Sequence, residues 1–137
     1  MRMIRIVFVL TCYFSSIFIY PASAQDIYTQ EGMERTILNQ ADLGGATGME
    51  VISSILVIAP GTTLPAHFHN GIESGRVIAG GMIQMPGKEA VMLETGAPIF
   101  NLRDVMHGGW TSVGDKPITL YTVHVVDKGK PLIDGVK

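Results

Sequence analysis

An all-β single domain is the architecture the sequence predicts, on three observations. Short runs rich in Val, Ile and Thr recur between Gly and Pro residues, as strands alternate with tight turns. After residue 48 no stretch keeps the apolar spacing of a helix. At 137 residues the chain has the length of one domain. Many short strands without helices pack as a sandwich or a barrel.

Taken in order, residues 1–24 have the pattern of a secretory signal peptide. Arg2 and Arg5 precede the apolar run IVFVLTCYFSSIFIY, and Ala22-Ser23-Ala24 supplies a small-residue cleavage site. The run is shorter than the roughly twenty residues a spanning helix needs. Cleavage after Ala24, a periplasmic or secreted address and no stable membrane insertion are therefore expected. Cys12 is the one cysteine of the chain, so the mature protein has no thiol for a disulfide, a nucleophile or a metal. Without Arg2 and Arg5, eight basic side chains face twelve acidic ones, a formal charge of −4. That unclustered, mildly acidic balance offers no basic stripe to nucleic acid and no polybasic patch to anionic lipid.

Residues 25–47 read as an N-terminal arm with one strand, about Arg35–Gln40, between polar and Gly-rich flanks. The arm either pairs with the sheet of a second subunit or forms a loose mature terminus. The barrel is expected over residues 48–126. Val51–Ala59 is a β-branched run that stops at Pro60-Gly61, and Thr62–Phe68 and Ser74–Ala79 follow as strands. Met82–Met85 and Ala90–Leu93 flank Pro86-Gly87, the signal for a hairpin. Ile99–Leu102 is a short strand, and Ile118–Val126 is the longest clear one. The polar tail, residues 127–137, is expected to pack outside the barrel.

The chemistry gathers in residues 61–80, GTTLPAHFHNGIESGRVIAG. His67 and His69 are two apart, so on an extended strand both imidazoles leave one face. Asn70-Gly71-Ile72 can turn the chain, and the returning strand then aims Glu73 back at them. Two neutral imidazoles and a carboxylate meeting at a point suit a divalent first-row metal ion.

The spacing around these residues resembles the first signature of the cupin superfamily: Gly61, five residues, His67-x-His69, three residues, Glu73, six residues, Gly80. A second signature is matched more loosely over residues 96–111, GAPIFNLRDVMHGGWT. Gly96 and His107 stand where the family has them. Leu102, Asp104 and Thr111 replace the family's Pro, Gly and Asn. The resemblance implies a double-stranded β-helix, or jelly-roll barrel, with His67, His69, Glu73 and His107 as ligands of one divalent ion. Four ligands leave one or two octahedral positions for water or substrate, as a working rather than a structural metal requires. Fe, Mn, Ni, Co, Cu and Zn all suit such a set.

Two further residues are candidates for catalysis. His124, in the last long strand, either faces inward as a base or substrate contact, or lies as a partly exposed imidazole on the outer sheet face. Asp104, three residues before His107, either supports a ligand imidazole, acts as a general base, or simply replaces a turn glycine. The resemblance implies a small-molecule substrate and a homodimer. It leaves three functions open: a dioxygenase-type oxidoreductase, a non-redox lyase, isomerase or decarboxylase, and a binding protein without turnover. The exported address and the lack of an obvious base beside the ligands lean toward the first.

Overall fold

The computed structural model describes residues 30–136, so the signal peptide expected over residues 1–24 lies outside the described residues. Nine strands form it, with no helix among the described residues. They are β1 (Met33–Asp42), β2 (Met49–Ile58), β3 (Thr63–Leu64), β4 (Gly71–Ala79), β5 (Gly81–Gln84), β6 (Val91–Leu93), β7 (Pro98–Asn101), β8 (Trp110–Ser112) and β9 (Ile118–Asp127). Every pairing is antiparallel. The five-stranded sheet runs β1-β2-β9-β4-β7 and the four-stranded one β3-β8-β5-β6.

Alternation along the two longest central strands sets the interior. Glu50, Ile52, Ser54, Leu56 and Ile58 of β2 are buried, as are Ile118, Leu120, Thr122, His124 and Val126 of β9. Register then stacks these residues in rows across the sheet. One row runs Ile52, His124, Glu73, Asn101, and the next runs Ser54, Thr122, Gly75, Ile99. Opposed residues on neighbouring strands stand about 4.5–5.5 Å apart at Cβ, so the side chains of each row are cross-strand neighbours, with a gap at Gly75. Apolar packing brackets the polar rows. Leu56, Ile58, Leu64, Val77, Ile83, Trp110, Ile118 and Leu120 form the larger cluster, and Ile52, Val126 and Leu132 the smaller.

Two boundaries differ from the sequence expectation. The arm does not end at residue 47: its strand is β1, paired along its length with β2 of the same chain. The barrel therefore begins at Met33, because Met33, Arg35 and Ile37 are the half-buried alternate positions of that strand. The tail is also part of the fold. Its polar composition hides Leu132, 1% exposed, and Ile133, 7% exposed, and Phe68 exchanges backbone hydrogen bonds of 3.0 Å with Asp134. Truncating Leu132 to Ala is expected to cost about 2–5 kcal/mol, the range for a buried aliphatic side chain. A chemical denaturation curve reads that loss; a change within about 0.5 kcal/mol would return the tail to the surface.

Candidate metal centre

Three of the chain's four histidines, His69, His107 and His124, lie within 3.5 Å of the Glu73 carboxylate, and the ring of the fourth, His67, packs against His69 and His107. His67 and His69 lie on the extended segment between β3 and β4, and backbone bridges rather than a long strand hold it straight. His67 N–H donates to His107 O at 2.9 Å and His107 N–H donates back at 2.8 Å. Phe68, between the two ligand candidates, turns its backbone to the tail. His67 and His69 therefore face inward together, as their spacing predicts. Glu73 projects from β4 between His124 of β9 and Asn101 of β7, its partners in register. Asn101 Nδ2 donates to Glu73 Oε2 at 2.6 Å.

The ring orientations are fixed from behind. His67 Nδ1 lies 2.8 Å from Pro65 O, His69 Nδ1 2.5 Å from Leu132 O, and His107 Nδ1 2.9 Å from Val105 O. A carbonyl accepts only from an N–H, so each Nδ1 carries the proton and each Nε2 of the neutral ring presents a lone pair. His69 and His107 Nε2 are only 3.1 Å apart, and Glu73 Oε2 is 3.3 Å from the first and 3.5 Å from the second. Acceptors facing acceptors at such distances call for a cation between them. His124 sharpens the point. It is 0% exposed, and neither ring nitrogen has a hydrogen bond; Nε2 lies 3.3 Å from Glu73 Oε1 but off the line of one. A buried polar atom without a partner is costly, and an ion satisfies it. The donors form two overlapping groups, His67-His69-His107 and His69-Glu73-His124, each with ligand atoms within 4.8 Å of one another. This all-N/O set fits a divalent first-row ion.

The electrostatics agree. Burial pushes the His67 imidazole down to about 4, although the Pro65 carbonyl favours its charged form. Burial likewise lowers His124 despite Glu73 beside it. Burial opposes the charge on Glu73, but the surrounding His107, His124 and His69 outweigh it and hold the carboxyl far below its usual range. For His107, burial is outweighed by Glu73 and the Val105 carbonyl, and the ring is raised. The centre therefore offers an ionised carboxylate and, at His67 and His124, imidazoles that burial keeps neutral, the protonation state that metal ligation needs. Gly108 lets the loop after His107 lie against this cluster. Its φ is +75°, and a Cβ there would stand 2.6 Å from Pro65 O and 3.1 Å from His67 Nδ1.

A cavity of about 160 Å³ opens onto the centre. His67, Glu73, His107, Asn101 and Arg35 give it polar groups on one side, and Leu56, Ile99 and Trp110 are among its apolar walls. His69 and His124 lie behind the lining. The structure thus brings His67, His69, Glu73 and His107 to one place. His124 takes the inward of its two alternatives, because its parity on β9 matches Thr122 and Val126. Asp104 does not join the cluster. It is exposed, has φ 60°, and donates its N–H to His69 O at 3.1 Å, the part of a turn residue at the family's glycine position. Sequence reasoning missed Asn101, the Leu132 carbonyl and Arg35. Only Arg35 left a signal, a charge on the apolar parity of Met33 and Ile37.

Solved structures share this architecture at low identity. A protein with a double-stranded β-helix domain from Klebsiella pneumoniae subsp. pneumoniae superposes with a TM-score of 0.55 at 14% identity, over 76% of this chain and 86% of its own. A cupin domain from Bordetella pertussis gives 0.50 at 15% identity, over 72% of this chain and 97% of its own. The chain has the cupin fold. The polyketide cyclase RemF from Streptomyces resistomycificus shares that fold, with a TM-score of 0.55 at 16% identity over 78% of this chain and 74% of its own. No family model and no curated protein matches the sequence. The Glu73–Asn101 contact gives this cupin site a direct test. Asn101→Ala is expected to weaken binding of Zn(II) by about 10–100-fold, the usual cost of losing a group that orients a ligand. Competition with a chelating dye measures it, and unchanged affinity would remove Asn101 from the site.

Proposed function

We propose that the protein is an exported mononuclear-metal cupin enzyme acting on a small organic molecule, with dioxygenase-type oxidoreductase chemistry. His67, His69, Glu73 and His107 would hold the ion, with His124 close enough to Glu73 to join or steady them. One observation carries the choice of chemistry: the cavity contains the metal-facing residues but no free acid or base. Asp104 is exposed, Tyr121 has the outward parity of β9, and His124 lies behind the lining. When bound, the ion supplies the redox or Lewis-acid step at its positions open to the cavity. The chain does the rest. Asn101 orients the Glu73 carboxylate, the carbonyls behind the rings hold the imidazole tautomers, and the apolar walls exclude bulk water. At about 160 Å³ the cavity lies below the roughly 300–1,000 Å³ of drug-sized sites, which favours small compounds.

A non-redox lyase or isomerase is the second reading, favoured by Glu73, which lines the cavity and could take a proton if the ion released it. The test begins with metal content, by mass spectrometry, on protein exported in its own host and purified without oxygen or chelators. About one Fe, Cu, Ni or Mn per chain is expected, falling below about 0.2 in His69→Ala, because ligand loss removes the preformed site. Oxygen uptake with catechols, flavonols and diketones then separates the readings, since turnover without oxygen selects the second. Unchanged metal stoichiometry in His69→Ala, or no metal even after reconstitution, would sink both.

Export and homodimer formation belong to the same proposal. The first rests on the sequence of residues 1–24. The second rests on the exposed apolar side chains Ile72, Ile78 and Phe100, which share the outer face of β4 and β7. N-terminal sequencing is expected to start at Gln25, and light scattering to give twice the mass of one chain. An intact Met1 or a monomer would overturn the respective half.

A further inference from the structure

Among the described residues Arg35 is the one Lys or Arg lining the cavity, and the register explains how it arrives there. It pairs with Leu56 on the inner face, one row from Ser54 and Thr122 and two rows from Glu73 and His124. Its side chain reaches over the small residues of the intervening row. Nη1 donates to Ser54 Oγ at 2.7 Å and to Thr122 Oγ1 at 3.4 Å, and those hydroxyls lie 3.0 Å from each other. Gly75 completes that row without a side chain, and none would fit: a Cβ there would stand 2.2 Å from Tyr121 O. The row thus holds the guanidinium through Nη1, while Arg35 lines the cavity.

The Nη2 and Nε edge of Arg35 has no partner. Among the described residues, no acceptor lies within hydrogen-bonding distance of Arg35 Nη2 or Nε, and no carboxylate lies within ion-pair distance. Buried arginines are seldom left so, since a desolvated charge needs a counter-charge. Burial indeed draws this guanidinium below its usual range, with Glu73 opposing from a distance. Glu73 cannot serve as the partner once an ion is bound, because its charge is then committed. A divalent cation and Arg35 against one carboxylate leave the pocket two positive charges in excess, in apolar surroundings that strengthen every uncompensated charge.

We infer that Arg35 is a substrate-positioning residue that takes a carboxylate of a small organic acid, whose other end carries the oxygen donor that faces the metal centre. The second anchor rests on the metal-enzyme reading above; the first does not. A guanidinium presents paired N–H groups in a rigid fork that matches a carboxylate, and the free Nη2 and Nε edge is the face suited to that geometry. A neutral amide of the same shape would leave the charge uncompensated and is discriminated against. The substrate class is therefore a small carboxylate anion with a second oxygen function, in a cavity whose apolar walls include leucine, isoleucine and tryptophan.

Malonate, succinate and glutarate, each beside its diamide, are the probes, titrated calorimetrically into metal-free and Zn(II)-loaded protein. At least one dicarboxylate is expected to bind the wild type, and Arg35→Met to weaken it by about 10–100-fold, the value of a charge-assisted pair. Diamide binding should be unmoved by the substitution, which a merely structural arginine would not explain. Should Arg35→Met fail to fold, the Arg35 Nε–H resonance of the wild type decides: it is expected to shift with the dicarboxylate and not with the diamide. Equal dicarboxylate affinity in wild type and Arg35→Met, a silent Arg35 resonance, or no dicarboxylate binding in either form overturns the inference. If the protein takes up no Zn(II) yet binds dicarboxylate through Arg35, the metal reading falls and the carboxylate subsite stands.

Discussion

The constraint on which the centre depends is the attachment of three imidazoles to backbone carbonyls. Pro65 O, Val105 O and Leu132 O each hold one Nδ1, and in doing so settle which nitrogen of each ring is bare. Once that is settled, three lone pairs and a carboxylate have nowhere to point except at one another. The fold spends backbone groups that a sheet ladder would normally use, in a segment where strand pairing has been reduced to single bridges. Short β3 and the extended His67–His69 segment follow from this. A full ladder there would have claimed the carbonyls.

A second layer of organisation comes from register. The row Ile52-His124-Glu73-Asn101 places an imidazole and an amide on either side of the same carboxylate, and Glu73 is ionised because of its neighbours and in spite of its burial. The next row, built from Ser54, Thr122 and Gly75, is small and polar, which makes room for Arg35. Apolar clusters close both ends. The polar interior is thus a band two rows deep inside an otherwise hydrophobic barrel: one row carries His124 and Glu73, and Arg35 lies over the other.

Much of the centre was legible in the sequence, for a definite reason. His67, His69 and Glu73 are local, so two-residue strand parity and one turn suffice to bring them together. His107 was reached through spacing around Gly96 rather than through periodicity. What escaped were relations that only long-range pairing creates. The opposition of Asn101 and Glu73 depends on a register between strands 28 residues apart. The inward turn of His124 depends on which face of β9 the other sheet covers, and alternation alone does not say. Residues 127–137 look like a solvated tail because their buried members, Leu132 and Ile133, are only two among charged neighbours. Asp104 stood at a glycine position and behaved as one, adopting positive φ in a tight turn instead of contributing a carboxylate.

The tail has a consequence for how the proposed ion would be acquired. The carbonyl that orients His69 belongs to Leu132, and the strand that backs Glu73 ends at Asp127, so the donor set is complete only when nearly the whole chain has emerged and packed. A partial chain would present scattered imidazoles of ordinary affinity, because a site of this kind does not exist before folding. If the chain crosses a membrane unfolded, as proposed, ion selection would then fall to the destination compartment and its supply of metals, and the synthesising cytoplasm would have no part in it.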